Sequence, residues 1–235
     1  MAEEDFNLES LAVYLHLEQG QVSRLAERGN IPGRRVGGGW RFQPAEIHHW
    51  LEERIGISDD EQLAHMEGAL EKADLGSEQK VVRVADLLPP AAIAIPLAAK
   101  TRSRVIEGIV DAAAATGWLW DPAKMAAAVR TREEMYPTAM ENGVAFLHPR
   151  RPLPGILEQG FLALGRTDRG IPFGGGRGGL TDIFFLICSA EDRTHLRVLA
   201  RLSRLVGQPG FLADLRAATS AAEAHEVIVR AEAEL

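Results

Sequence analysis

The sequence predicts an α/β protein that begins with a small winged helix-turn-helix domain. Residues 81–235 alternate short apolar runs with helical patterns, as strands and helices do in α/β domains. Residues 6–57 form a separate unit with its own turns and a glycine-rich hairpin. The chain has 235 residues, of which 46% are hydrophobic and 25% charged, so it is long enough for two globular domains.

The N-terminal unit has the order helix, turn, helix, hairpin, helix. Asn7 is suited to cap the first helix, and Gly29 to end the second. Three glycines after Val36 predict a tight turn between two short strands, and Pro44 suits the first turn of the last helix. These elements cover residues 8–15, 18–28, 34–42 and 44–51.

Residues 58–80 are predicted to be a helical linker. Leu63, Met66 and Leu70 have helical spacing, and the pair Gly76-Ser77 breaks the pattern. The apolar stripe is too short for a convincing coiled coil. A solvated spacer and a dimer contact both fit this segment.

The C-terminal region is predicted to contain at least three strands and four helices. Strands are expected over 93–95, 160–164 and 182–188, with a hairpin-like glycine-rich stretch over 174–179. Helices are expected over 100–115, 122–130 and 194–206, followed by a terminal helix that carries His225.

One arginine and two histidines of this region suit phosphohistidine chemistry. Arg132 and His148 are sixteen residues apart, and His195 follows 47 residues after His148. An imidazole nitrogen can accept a phosphoryl group, while a guanidinium and a second imidazole can hold its oxygens. Taken by itself, however, His195 is better interpreted as an exposed residue at the start of a helix.

The residues around these three groups resemble the fructose/mannitol-type IIA domain of the bacterial phosphotransferase system, including its nitrogen-regulatory branch. The likeness covers approximately residues 83–230, and several separated motifs agree at once. The matching motifs are Arg132-Glu133, Thr138, Asn142-Gly143, Val144-Ala145-Phe146, His148, Arg150, Pro154-Gly155, Leu164-Gly165-Arg166, Ile171-Pro172-Phe173, Asp182–Ile187 and Thr194-His195-Leu196.

This resemblance implies a mixed β-sheet flanked by helices and a role for each group. It implies that His148 is the phosphoacceptor, with His195 and Arg132 beside it, at a domain edge that partner proteins can reach. Thr138 and Asn142 are expected either to orient the loop or to donate to the phosphoryl group, and Arg150 is a further supporting residue. The expected partners are an upstream histidine phosphocarrier protein and a IIB-type protein.

The sequence departs from the family at the residue before the phosphoacceptor. The family usually has Pro at that position, whereas this chain has Leu147, with Pro149 on the other side. The segment Glu134–Pro137 is also bulkier than the usual small turn. Both changes lie beside the expected chemistry and bear on which partner docks there.

The N-terminal unit resembles the excisionase-type, MerR-like DNA-binding domains, most specifically in the motif Gly37–Phe42. The resemblance implies a second helix in the major groove and a wing on the phosphates. Residues 1–57 nevertheless carry six arginines against nine acidic residues, which supplies little phosphate neutralisation. DNA binding by a dimer and a protein-contact module both remain open. The candidate DNA contacts, expected on one basic face, are Arg24, Arg28, Arg34, Arg35 and Arg41.

Composition limits the remaining function classes. The net charge is −7, so no overall field attracts nucleic acid, and the only cysteine, Cys188, allows no intrachain disulfide. The acidic N-terminus is no signal peptide, and no apolar stretch is long enough to span a membrane. We therefore expect a soluble cytoplasmic protein without metal or cofactor. His48 and His49 point to opposite helix faces and make a poor chelate.

Three functions follow from these observations. The first is a phosphohistidine-carrying regulatory protein whose DNA-binding-type domain responds to phosphorylation. The second is a transport phosphocarrier that passes the phosphoryl group to a IIB partner. The third is a DNA-binding or scaffold protein that is not phosphorylated. The chain is a phosphotransferase component only in the first two.

Overall fold

The computed structural model describes residues 5–15, 17–44, 46, 47, 49–51, 83–174 and 179–235. These residues fall into an N-terminal and a C-terminal unit, and each is described by itself. The predicted linker over 58–80 lies outside the described residues. Within them, no helix is both long and apolar enough to cross a membrane.

The N-terminal unit contains helices α1 (Leu8–Leu15) and α2 (Gln19–Glu27) and strands β1 (Arg34–Val36) and β2 (Gly39–Arg41). A third helical segment includes residues 44, 46, 47 and 49–51. The Asn7 side chain accepts the Ser10 N–H at 2.8 Å, which caps α1 as predicted. Gly29 follows α2 with φ +70°, as a glycine after a helix often does.

Strands β1 and β2 form the predicted wing. They pair antiparallel, with Val36 opposite Gly39. Gly37 and Gly38 both have positive φ, at +59° and +81°, which is the backbone that a two-residue hairpin turn requires. An antiparallel bridge between Phe6 and Phe42, which the sequence did not suggest, ties the start of the unit to the end of the wing.

The C-terminal unit is built on a four-stranded mixed sheet with the order β3-β5-β6-β4. Strands β5 and β6 are antiparallel, while β3 pairs parallel with β5 and β4 pairs parallel with β6. This confirms the α/β class and the mixed sheet. The strands are β3 (Ile93–Ala94), β4 (Val144–Leu147), β5 (Phe161–Pro172) and β6 (Leu180–Cys188).

Six α-helices lie in the described part of the chain after residue 82. They are α3 (Val84–Leu87), α4 (Arg102–Ala114), α5 (Pro122–Met135), α6 (Asp192–Gly207), α7 (Phe211–Ala217) and α8 (Ala221–Glu232). Thr101 caps α4 and Asp121 caps α5, each by accepting a backbone N–H three residues later. Helix α7 and the extension of β5 past Leu164 were not predicted.

The sheet carries apolar side chains on both faces. One set, which includes Ala145, Leu147, Phe184 and Leu186, joins a core cluster with residues of α4 and α5. The alternating set faces the other way, and its Phe146 and Phe185 rings meet edge to face at 6.0 Å. Because β4 is buried at every position, both faces of the sheet are covered at this strand.

Helix α5 continues five residues beyond the predicted end at Arg130. Arg132 and Glu133 are charged, so the sequence shows no apolar periodicity beyond Arg130. In the structure both side chains are buried, so the inward stripe continues from Val129 through two charged residues. The helix ends before Pro137, whose preceding residue is disfavoured in the helical conformation.

The start of the C-terminal unit is fixed by its last helix. The buried carboxyl of Glu232 on α8 accepts the backbone N–H groups of Val84 and Ala85, at 2.7 and 3.0 Å. Nε2 of His225, two helical turns earlier on α8, lies 3.1 Å from the Ala85 carbonyl oxygen. Glu232 thus satisfies two N–H groups of the first turn of α3 that have no partner within that helix.

Glu232→Ala is therefore expected to lower the free energy of unfolding by about 2–4 kcal/mol, because two buried N–H groups lose their acceptor. Urea denaturation of the full chain measures the change. Glu234→Ala removes an exposed carboxyl two residues further on and serves as the control. Equal stability of the two variants would show that the Glu232 contacts contribute nothing.

Candidate functional site

His148 and His195 lie side by side at one edge of the sheet. His148 directly follows β4, and His195 lies in the first turn of α6, shortly after the end of β6. Because β4 and β6 are parallel, with Leu147 opposite Leu186, their carboxyl ends reach the same edge. The two ring centroids are 4.8 Å apart, and the planes are inclined by 57°.

A backbone contact determines which nitrogen of His148 carries the proton. Nδ1 lies 2.8 Å from the carbonyl oxygen of Phe146. A carbonyl only accepts, so Nδ1 is the donor and holds the proton of the neutral ring. Nε2 therefore carries the lone pair, which is the arrangement that a nucleophilic nitrogen needs.

His195 is also oriented by its surroundings. The hydroxyl oxygen of Ser189 lies 3.5 Å from Nδ1 of His195, at the outer limit of a hydrogen bond. A hydroxyl that donates to Nδ1 leaves the proton of the neutral ring on Nε2. The first turn of α6 also has the positive end of the helix dipole, which favours nearby anions.

Both histidines are buried, which corrects two expectations from the sequence. His148 is 2% exposed, so it is not presented at an open edge in this structure, and His195, at 6%, is not an exposed helix-start residue. Leu147 is the last residue of β4 and is fully buried in the core cluster. Leucine therefore continues the strand up to the histidine, where proline would lack the N–H of a regular strand residue.

Arg132 lies in the last turn of α5 and is 7% exposed. Its Nη1 donates to the Tyr136 carbonyl at 2.6 Å. Ala139 bridges Ala145 of β4 in the antiparallel sense, and the Met140 N–H donates to the Val144 carbonyl at 2.8 Å. Because the bridge is antiparallel, the residues before Ala139 lie toward the carboxyl end of β4, which His148 follows. Arg132 is hydrogen-bonded to one of these residues, Tyr136.

Glu133, the neighbour of Arg132, is a buried residue of this region that the sequence did not single out for a role. Its carboxyl accepts the Thr138 N–H at 3.2 and 3.3 Å and also the Thr138 hydroxyl. Arg102 of α4 donates to it through Nη2 at 3.1 Å. Burial raises the pKa of the Glu133 carboxyl above its usual value, although the Thr138 hydrogen bonds and the Arg102 and Arg132 charges act to lower it.

Thr138 and Asn142 both form hydrogen bonds in the segment between α5 and β4. The Thr138 hydroxyl is directed to Glu133. The Asn142 side chain accepts the Val144 N–H at 3.3 Å, at the amino end of β4. His148 follows the opposite end of that strand, and four strand residues span about 13 Å.

Arg150 is exposed two residues after His148. The chain then turns back over the strand ends, because the Leu153 N–H donates to the Ser189 carbonyl at 3.3 Å. Arg150 therefore lies in the segment between β4 and β5, which is hydrogen-bonded to the chain just after β6.

The candidate DNA contacts do not share one face. Arg34 and Arg41 are opposite each other in the wing, whereas Arg35 pairs with Trp40 on the other side of the ribbon. Arg34 forms an ion pair with Asp5 at 2.8 Å, and the Arg35 guanidinium lies 5.0 Å from the centre of the Trp40 ring. Arg24 is exposed on α2, and Arg28, which directly follows the last residue of α2, is exposed four positions later.

Comparison with known families assigns the C-terminal unit. Residues 86–231, more than half of the chain, match the family described as the phosphoenolpyruvate-dependent sugar phosphotransferase system, EIIA 2. The chain belongs to this EIIA 2 family. Residues 6–55 match a second family, described as a helix-turn-helix domain.

Individual relatives of the EIIA 2 part support the same assignment. A nitrogen regulatory protein of Bradyrhizobium diazoefficiens is 29% identical over 147 residues, which are 62% of this chain and 94% of the relative. The crystal structure of the nitrogen regulatory protein IIA-Ntr from Neisseria meningitidis matches with a TM-score of 0.54 and 22% identity, over 62% of this chain and 98% of that one.

The Escherichia coli mannitol enzyme IIA, solved in complex with phosphorylated enzyme IIB, has a similar fold. Its TM-score is 0.52 at 17% identity, over 61% of this chain and 99% of that one. At these identities the two solved structures show the fold of the EIIA 2 unit.

The contact with Phe146 predicts the tautomer of His148. In the neutral ring, nitrogen-15 NMR is expected to show the proton on Nδ1 and an unprotonated Nε2, because the carbonyl can only accept. His49, an exposed residue of the N-terminal unit, serves as the reference ring. A neutral His148 that carries its proton on Nε2 would contradict this geometry.

Proposed function

We propose that the protein is a cytoplasmic phosphohistidine carrier of regulatory type, in which Nε2 of His148 receives a phosphoryl group from an upstream histidine phosphocarrier protein. The observation that carries the proposal is the buried pair of His148 and His195, in which the Phe146 carbonyl accepts from Nδ1 of His148 and so assigns the lone pair of the neutral ring to Nε2.

Transfer of the phosphoryl group forms one N–P bond and breaks another in a single step. The Nε2 lone pair of His148 forms the new N–P bond while the N–P bond of the donor histidine breaks. The bonding electron pair returns to the donor ring. The proton on Nδ1 of His148 stays in place and is shared with the Phe146 carbonyl, which stabilises the positive charge that develops on the ring.

The neighbouring groups stabilise the charge on phosphorus. A phosphoryl group in flight carries negative charge on its three equatorial oxygens, so catalysis consists mainly of positioning and electrostatic stabilisation. His195, whose ring lies 4.8 Å from that of His148, supplies an N–H. Arg132 supplies a planar guanidinium with paired donors. Because His148 is 2% exposed, the donor reaches Nε2 only after the surrounding groups move.

Phosphorylation is tested with phosphoenolpyruvate and the general carrier proteins of the system. We expect acid-labile label on the wild type, no label on His148→Ala, and unchanged labelling of His49→Ala. His195→Ala is expected to slow labelling about 10²-fold or more, because one donor to the transferred group is lost. A wild type that no carrier labels, or a labelled His148→Ala, would contradict the proposal.

A regulatory output is favoured by the helix-turn-helix match beside the EIIA 2 unit. We propose that residues 6–57 and 81–235 act as two domains joined by 58–80, and that charge added at His148 alters DNA binding by the first. The solved complex of a related IIA enzyme with phosphorylated IIB favours a second candidate, a transport carrier that passes the group to a IIB-type partner.

DNA binding is tested with an Arg24→Ala, Arg28→Ala double variant. Both side chains are exposed, one on α2 and one directly after it, so their removal is expected to weaken binding to genomic fragments and to reduce its salt dependence by about two phosphate contacts. Arg104→Ala, an exposed arginine of the C-terminal unit, is the control. A gel shift without binding by the wild type would favour the transport function.

A further inference from the structure

The last turn of α5 holds the following segment through two adjacent side chains. Arg132 donates to the Tyr136 carbonyl, and Glu133 accepts from both the backbone and the hydroxyl of Thr138. Pro137 lies between the two contacts and has no N–H of its own. The segment is thus fixed to α5 on both sides of the proline.

The same segment is attached to β4. Ala139, directly after Thr138, forms the bridge to Ala145, and the Met140 N–H donates to the Val144 carbonyl. The Glu133 carboxyl therefore connects the end of the Arg132 helix to the strand that leads to His148.

The hydrogen bonds of the Glu133 carboxyl indicate a specific role rather than simple packing in the core. Glu133 is 1% exposed, and carboxyl groups are rarely buried to this degree unless they are paired. Arg102 pairs with it from α4, and the Arg102 guanidinium also lies 5.2 Å from the centre of the Phe173 ring. Three donors from two segments therefore converge on one carboxyl.

We propose that Glu133 is a positioning residue for phosphoryl transfer: through Thr138 it keeps the Tyr136 carbonyl in place, and that carbonyl orients the Arg132 guanidinium toward the phosphoacceptor. This role rests on the proposed function of His148. In this role Glu133 acts through Arg132 and not on the phosphoryl group itself. Its effect reaches the reaction through the direction in which Arg132 presents its donors.

The decisive variant is Glu133→Gln, which keeps the size of the side chain but offers a single acceptor oxygen. The Thr138 hydroxyl donates to Oε1 and Arg102 donates to Oε2, so the NH2 group of glutamine replaces one of these two acceptors. We expect the rate of His148 labelling at saturating phosphorylated carrier, kcat, to fall about 10²-fold, as misplacement of a catalytic group by about 1 Å does, with KM for the carrier little changed. Glu134→Gln removes the same charge from the exposed neighbouring residue and is expected to behave as wild type.

Thr138 provides an independent pair of variants. Thr138→Val removes the hydroxyl at nearly constant volume and is expected to lower kcat, whereas Thr138→Ser keeps the hydroxyl and is expected to restore it. Hydrogen exchange of the residue 138 amide, faster in Glu133→Gln than in wild type, reports the loosened segment directly. This pair keeps the test decisive even where Glu133→Gln folds poorly.

The outcomes separate the two proposals. A wild type that is labelled on His148, with Glu133→Gln and Thr138→Val equally active, would overturn the positioning role and leave the proposed function intact. Equal losses in Thr138→Ser and Thr138→Val, or a loss confined to KM, would also overturn it. A wild type that no carrier labels would overturn the proposed function and the role of Glu133 with it.

Discussion

The parallel pairing of β4 with β6 is the constraint on which the candidate site depends. These strands are consecutive neighbours in space but are separated in sequence by β5, which runs antiparallel to β6. Parallel strands end at the same edge, so His148 after β4 and the chain after β6 arrive together. Burial of β4 at every position fixes the register, because a slip by one residue would turn Ala145 and Leu147 to the opposite face. The separation of the two imidazoles is therefore set by the core.

Polar contacts then orient the two histidines in this placement. The Phe146 carbonyl selects the tautomer of His148, and the Ser189 hydroxyl lies beside His195. Arg132 and Glu133 are buried, and electrostatic interactions are stronger in a buried site than in water. Arg132 and Glu133 each have a hydrogen-bonding partner, as burial of charged groups requires.

The sequence predicted the fold well wherever periodicity or a turn motif was strong. The α/β class, the capped helix after Asn7 and the glycine turn of the wing are confirmed by the structure. The end of α5 was predicted too early because buried charged residues do not show in an apolar pattern. The burial of His195 could not be predicted from its local sequence, because it depends on where β4 ends. The site residues themselves were proposed from family motifs, and the contacts of Glu133 and Ser189 had no separate signal beyond their places beside Arg132 and at the end of β6.

The central claim is that Nε2 of His148 is the atom that accepts the phosphoryl group. The most direct measurement is the phosphorus–nitrogen coupling in NMR spectra of the nitrogen-15-labelled, phosphorylated protein. The account predicts a coupling to Nε2 of His148, with the proton retained on Nδ1 against the Phe146 carbonyl. Phosphorus found on Nδ1 of His148, or on His195, would contradict it.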